Sequence, residues 1–310
     1  MTSSPWNSQK IKVYKKRAVK ASVGVAFMLF VVKTVAALAT GSLAIFSSLV
    51  DSLSDIVASV VSYVAVHISS KPVSCTHKYG YFKAEHLSAL VQAAFISASG
   101  LFVLYGGIER ALHPVVLKQT GIGILVMTFS LAATCGLVLF QNYVAKHTNS
   151  MAVKADSGHY AADFLSNGAV ILSLIAVKYF GVVWFDTLTA VLIAVYLLFY
   201  AYRIAREATD LLMDKELSEN IRKEVLKVVL KTRGVKGLHD MRTRDLGGVY
   251  YFELHVEMDG DIALKDAHKI CERVEEKIKR IYPAAQILIH QDPFGLKEER
   301  LDDFLEHCSL

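Results

Sequence analysis

Apolar runs long enough to cross a bilayer recur six times along the chain, at 18–40, 43–68, 87–110, 121–146, 156–179 and 185–207. Each lies near the roughly 20 residues that a hydrocarbon core requires, so six spanning helices are expected, with both termini on one side. Beyond residue 208 the pattern changes, and charged positions alternate with apolar ones as in a small soluble domain. Helical periodicity over 217–232, with Ser218 placed to cap the first turn, is followed by two alternating stretches at 238–245 and 249–258 about a Gly247-Gly248 turn signal. A second helix is expected over 263–281 and a strand over 285–291, ended by Pro293. That order, αββαβ, predicts a compact α+β domain with its helices on one face of a small sheet. The tail 296–307 reads as a short amphipathic helix. The expected division is an N-terminal segment 1–17, a six-helix transmembrane bundle 18–208 and a C-terminal domain 209–310, with neither a fixed-period repeat nor a low-complexity tract.

Composition supports the membrane reading: 53% of the 310 residues are hydrophobic and mean hydropathy is +0.37, well above ordinary soluble domains. The formal net charge of +5 would fit a nucleic-acid partner, but its placement decides otherwise. Lys10, Lys12, Lys15, Lys16, Arg17 and Lys20 precede the first apolar run, and Arg203 and Arg206 follow the last. The connections 69–86 and 146–155 carry Lys71, Lys78, Lys83, Lys146 and Lys154, against Arg110, Lys118 and Lys178 on the opposite side. By the positive-inside rule both termini are cytosolic, and nucleic-acid binding has little support. The polar, basic start offers no cleavable signal peptide. Cys75, Cys135, Cys271 and Cys308 form no C-x-x-C pair, so neither a zinc ribbon nor a disulfide framework is indicated. Gly41 and Gly106-Gly107 read as turns or close helix approaches, and Asp186 as a helix N-cap.

The chemistry lies in the apolar runs. Asp51 and Asp55 stand one turn apart in the second helix, in SLVDSLSDIVAS, and His159 and Asp163 repeat that spacing in the fifth, in DSGHYAADFLSN. Residues four apart share a helix face. If the two faces meet, three carboxylates and an imidazole converge, an O₃N shell suited to a four-coordinate divalent cation: zinc above all, with cadmium, ferrous iron, manganese or cobalt open. The plainer reading caps each polar residue, wets it, or pairs it with a base such as Lys33. Each intramembrane Asp costs about 2.5 kcal/mol or more on insertion scales, and two spaced pairs on separate helices favour a metal that neutralises them. Protons must leave such a cluster when metal binds, which supplies a metal/proton antiport mechanism.

With D-x-x-x-D in helix two, H-x-x-x-D in helix five, six spans and a tail carrying HDMRTRDLGG, ELHVEM and ILIHQDP, the chain resembles the cation diffusion facilitator family, of the bacterial zinc and ferrous-iron efflux type. The resemblance covers nearly the whole chain. It implies a V-shaped homodimer in the cytoplasmic (inner) membrane, no tightly held cofactor, and a ferredoxin-like cytosolic domain that binds metal and ties the two tails together. It further implies a transport site of Asp51, Asp55, His159 and Asp163, and a binuclear cytosolic site of His239, His255, His290 and Asp292 with His268 and Gln291 beside them. On residues alone the second site has moderate support, since alternation puts His255 on the polar side of its strand and His290 and Asp292 two apart at a strand end. Lys83 and Asp214 fall where the family forms a charge interlock beneath the membrane. One departure stands out: the family's loop motif D-x-x-H-x-x-x-H becomes Ser74, His77 and Tyr81 here, leaving His77, with Cys75 as a substitute, for a weak loop site.

Two other classes use similar residues. A passive metal channel would hold its cation too tightly with four strong ligands. A membrane-embedded metallohydrolase would keep three protein ligands and an open position, and no H-E-x-x-H or G-x-S-x-G occurs.

Overall fold

The computed structural model describes residues 8–40, 43–112, 121–180, 184–296 and 299–300. Helices run in the order α1 (Ser8–Thr40), α2 (Leu43–Ser69), α3 (Ala84–Leu112), α4 (Gly121–Thr148), α5 (Met151–Phe180) and α6 (Trp184–Leu212). Next come α7 (Glu219–Leu230), β1 (Gly237–Asp245), β2 (Tyr250–Met258), α8 (Leu264–Ile281) and β3 (Gln286–Pro293). The chain divides into two compact units, one up to residue 209 and one from residue 210. The expected helix over 296–307 lies largely outside the described residues, as do Gly41, Lys118 and Cys308.

In the helical unit, α1, α2, α3, α4 and α6 are long and apolar enough to cross a membrane. The 30 residues of α5 rise about 45 Å, more than the ~30 Å of hydrocarbon, although Lys154, Asp156, His159 and Asp163 interrupt its apolar run. Lipid gives helices no hydrophobic reason to associate, so packing rests on small residues and polar contacts. Ala18, Ala26, Ala58, Ala93, Ala152 and Ala162 are all buried at helix contacts. On α6 the buried residues Ala194, Leu197, Ala201, Ile204 and Ala208 follow a 3-4-3-4 spacing, one continuous seam. Gly107 of α3 lies so close to α6 that a Cβ there would meet Ala190, in line with its expected role in close approach. Large apolar side chains such as Phe27, Leu38, Phe102 and Phe199 remain exposed, as lipid-facing positions should. Asp186 falls inside α6, which begins at Trp184, instead of preceding it.

The C-terminal unit has the expected αββαβ order, with a sheet in the order β1-β2-β3. β1 and β2 pair antiparallel through a turn in which Gly247 and Gly248 take φ of 102° and 97°, conformations that side chains disfavour. Asp245 Oδ1 accepts both glycine N–H groups at 2.8 and 2.6 Å. β2 and β3 pair parallel, which demands the α8 crossover. Alternation sends Phe252, Leu254, Val256 and Met258 of β2 into the core. There they meet Ala267, Ile270, Cys271, Val274 and Ile278, the single apolar stripe of α8. Ser218 holds the N-cap position of α7, but its hydroxyl makes no capping bond; its carbonyl receives the N–H groups of Ile221 and Arg222.

Candidate metal centres

The facing surfaces of α2 and α5 bring Asp55, His159 and Asp163 together, with one potential ligand atom from each inside 4.8 Å of the others. His159 Nε2 lies 3.2 Å from Asp55 Oδ1 and 3.8 Å from Asp163 Oδ2. The imidazole is 2% exposed, and Phe95 of α3 packs edge-on against it with ring centroids 6.1 Å apart. Asp51 sits one turn before Asp55; it is exposed and outside that 4.8 Å group. Lys33 of α1 donates to Ser52 Oγ at 2.7 Å and to the Ser48 carbonyl at 3.3 Å. His159 Nδ1 and Asp163 Oδ2 are buried without a hydrogen-bond partner. Orphaned buried polar atoms cost about 1–3 kcal/mol each, and a dication accepting lone pairs from the cluster would offset part of that.

In the C-terminal unit the sheet itself builds the second cluster. Register pairs His239 with His255 and His255 with His290, so three imidazoles cross β1, β2 and β3 in one row on the face away from α8. Asp292 is the hub: its Oδ2 lies 3.1 Å from His255 Nδ1 and 3.5 Å from His239 Nε2, and its Oδ1 lies 3.2 Å from His290 Nε2. A carboxylate offering separate oxygens to separate imidazoles can bridge two cations. An irregularity between His239 and Arg242, with Asp240 at φ 48°, brings Asp240 beside His239 and His255 as well. Gln291 is turned to the other face by strand alternation and bonds Cys271, whose thiol burial pushes up in pKa. His268, on α8, is 67% exposed and lies 3.5 Å from Glu272. Neither joins the cluster within this chain.

The loop between α2 and α3 is closed by its own hydrogen bonds. Ser74 and His77 exchange backbone bonds at 3.3 and 3.2 Å, Ser74 Oγ meets Tyr81 OH at 3.0 Å, and His77 stacks on Tyr81 at 4.4 Å. His77 Nδ1 is 3.0 Å from Thr76 Oγ1, and Cys75 is an exposed free thiol. Asp214, at φ 56°, receives Arg244 Nη1 at 3.2 Å.

Three features escaped the sequence reading. Asp156 is fully buried in α5 and bound by Gln92 and Gln141. Its spacing of three from His159 and seven from Asp163, inside a motif already singled out, was the available signal. Glu85 collects Lys15, Ser69 and Ser150, so Lys15 is a buried partner instead of a solvated flank. Glu257, two residues after His255 on the same strand face, places Oε1 3.5 Å from His239 Nδ1 and pairs with Arg300 at 2.5 Å.

These features define a class, a multi-pass membrane protein with one His/Asp cluster among its helices and another on an appended α+β domain. Residues 19–213 match the profile described as cation efflux transmembrane domain, and residues 217–294 that of cation efflux protein, cytoplasmic domain. The chain is 40% identical over 282 residues to the cation-efflux pump FieF of Pectobacterium atrosepticum, covering 91% of this chain and 94% of that protein. It is 39% identical over 284 residues to the pump of the same name from Serratia proteamaculans, covering 92% and 94%. Among solved structures, the metal-bound C-terminal domain of the CzcD transporter from Thermotoga maritima is 23% identical, with 26% of this chain and 100% of that one covered and a TM-score of 0.25. The chain belongs to the cation efflux family, the cation diffusion facilitators, in its bacterial form. It is a transporter that exports divalent metal cations, and not an enzyme.

Proposed function

We propose that the protein moves zinc, and also cadmium and ferrous iron, out of the cytosol in exchange for protons, through a site of Asp51, Asp55, His159 and Asp163. One observation carries the reading: the convergence of Asp55, His159 and Asp163 about His159 Nε2, at 3.2 and 3.8 Å, between α2 and α5. Asp51, on the same α2 face, completes the O₃N shell by turning inward in the loaded state. Metal and protons compete for the same lone pairs, so loading on one side and release on the other exchanges them. The working unit is a homodimer in the inner membrane, with both termini cytosolic and residues 18–208 as the transport domain. In the cytosolic domain, residues 209–310, His239, His255, His290 and Asp292 hold a regulatory metal pair. The loop site at Cys75 and His77 is weak, because its family positions hold hydroxyls already bonded to one another.

Stopped-flow flux into proteoliposomes, across a panel of metals and with or without a pH gradient, tests this. Wild type should carry zinc at a rate set by the gradient, and Asp55→Ala should not. Flux indifferent to the gradient removes the antiport, and wild-type flux in the variant removes the shared site.

A further inference from the structure

Asp156 is a charged residue type, fully buried among helices, that the transport site does not use. Its side chain and those of Ser22, Ser62, Gln92 and Gln141 are all at 0% exposure. Gln92 Nε2 lies 3.2 Å from Oδ1 and Gln141 Nε2 2.5 Å from Oδ2, and the hydroxyls of Ser22 and Ser62 also bond it. From α1 it meets Ser22, from α2 Ser62, from α3 Gln92 and from α4 Gln141, none of which titrates. The titratable groups bearing on it are His159 and Tyr160 of its own helix, with Asp55 of α2 acting on both of those. Among the described residues no lysine or arginine pairs with it. An ionised carboxylate so placed is offset by neutral dipoles and by the His159 imidazole alone among titratable groups.

The two glutamines differ. Gln92 Nε2 is committed, since it also donates to the Ala58 carbonyl at 2.8 Å and to Ser62 Oγ at 2.9 Å. Gln141 Nε2 has Asp156 as its partner, and Gln141 Oε1, like Gln92 Oε1, is buried with no hydrogen bond. An amide turned end for end would present that oxygen to a protonated carboxyl, and which end faces Asp156 follows from the proton, not from the backbone. From Ser22 a hydroxyl chain runs on, Ser22 Oγ to Ser59 Oγ at 2.8 Å and Ser59 Oγ to Tyr160 OH at 2.6 Å, ending beside His159.

We propose that Asp156 is a proton-binding carboxyl distinct from the metal ligands, with Gln141 as its two-way partner, and that it adds a proton to those exchanged for each exported cation. In its transport arm this rests on the antiport reading; in its spectroscopic arm it does not. Proton counting in proteoliposomes loaded with a pH dye, with zinc as the cargo, should find one proton fewer per cation in Asp156→Asn, an unchanged zinc Kd, and the wild-type count in Asp156→Glu. An unchanged count in Asp156→Asn overturns the proposal, and so does loss of zinc binding, which would make Asp156 a ligand.

The infrared arm uses zinc-free minus zinc-saturated difference spectra of the full chain in detergent. Beside the bands of the ligand carboxyls, one protonated-carboxyl C=O band lost on zinc binding should be missing from Asp156→Asn and return in Asp156→Glu. Persistence in Asp156→Asn overturns the assignment, whatever the flux assay shows. Should Asp156→Asn fail to fold, Gln141→Met must shift the pH midpoint of that band, and an unmoved midpoint overturns the proposal equally. If wild type exchanges no protons, the antiport reading falls by itself and the infrared result still decides Asp156.

Discussion

Replacing Glu85 by Gln should unlock the helical unit. The carboxylate, its side chain 7% exposed, receives Lys15 Nζ at 3.1 Å, Ser69 Oγ at 2.7 Å and Ser150 Oγ, tying the starts of α1, α3 and α5 to the end of α2. The amide still accepts from a serine, so the main loss is electrostatic: the Lys15 ammonium, 10% exposed, is left with neutral partners. Stranding one member of a buried pair costs about 3–5 kcal/mol. For a unit running up to residue 209, each kcal/mol lowers Tm by about 2–4 °C, so the lower bound corresponds to roughly 6–12 °C. Lys15→Met alone leaves the carboxylate with two hydroxyl donors, and Lys15→Met with Glu85→Gln leaves no buried charge. The double variant should therefore lose less than the sum of the singles, with a coupling of about 2 kcal/mol. Detergent-solubilised full chain, heated stepwise and followed by size exclusion, gives the four values of the cycle. Additive losses, or a Glu85→Gln loss under about 1 kcal/mol, would refute the buried-pair argument.

Three more outcomes are expected. Gly158→Ala drives a methyl into the Tyr200 ring of α6 and should cost about 1–3 kcal/mol by the same thermal assay, a loss that Tyr200→Ala relieves. Glu257→Gln removes the carboxylate 3.5 Å from His239 Nδ1 that orients this imidazole, and should weaken zinc binding at the C-terminal cluster about 10–100-fold in calorimetric titrations of full chain carrying Asp55→Ala. Burial, with the Glu224 carboxylate that accepts its hydroxyl at 2.6 Å, holds the Tyr282 pKa above the ordinary 10.0. The neutral phenol is thus favoured in the folded state, and its contribution to stability is complete below pH 10 and lost as pH rises beyond. Urea midpoints measured below and above pH 10 should fall for wild type more than for Tyr282→Phe.

Much of this was legible in the sequence because the periodicities were strong and the polar exceptions few. A two-residue alternation placed His255 on one face of its strand, and i, i+4 spacing paired His159 with Asp163. What no pattern could supply was which neighbours those faces meet. Lys15 looks like any juxtamembrane cation until α3 brings Glu85 against it, and Asp156 gains meaning only when α3 and α4 aim Gln92 and Gln141 at one carboxylate. Gln291 shows the reverse: adjacency to His290 and Asp292 made it look like a neighbour of the cluster, yet single-residue alternation turns it to Cys271. The helix bounds moved by only a residue or two in the C-terminal unit, as frayed ends do. α1 and α5 instead extend well beyond their apolar runs, because helical hydrogen bonding continues past the hydrocarbon edge.

The central claim is that Asp55, His159 and Asp163 close around a dication, and zinc-edge X-ray absorption tests it most directly. The sample is full chain in which His255→Ala and His290→Ala have disabled the C-terminal cluster. A four-coordinate shell of oxygen and nitrogen with imidazole scattering, lost on adding His159→Ala, is the predicted spectrum. A sulfur shell, no retained zinc, or a spectrum indifferent to His159→Ala would contradict the account.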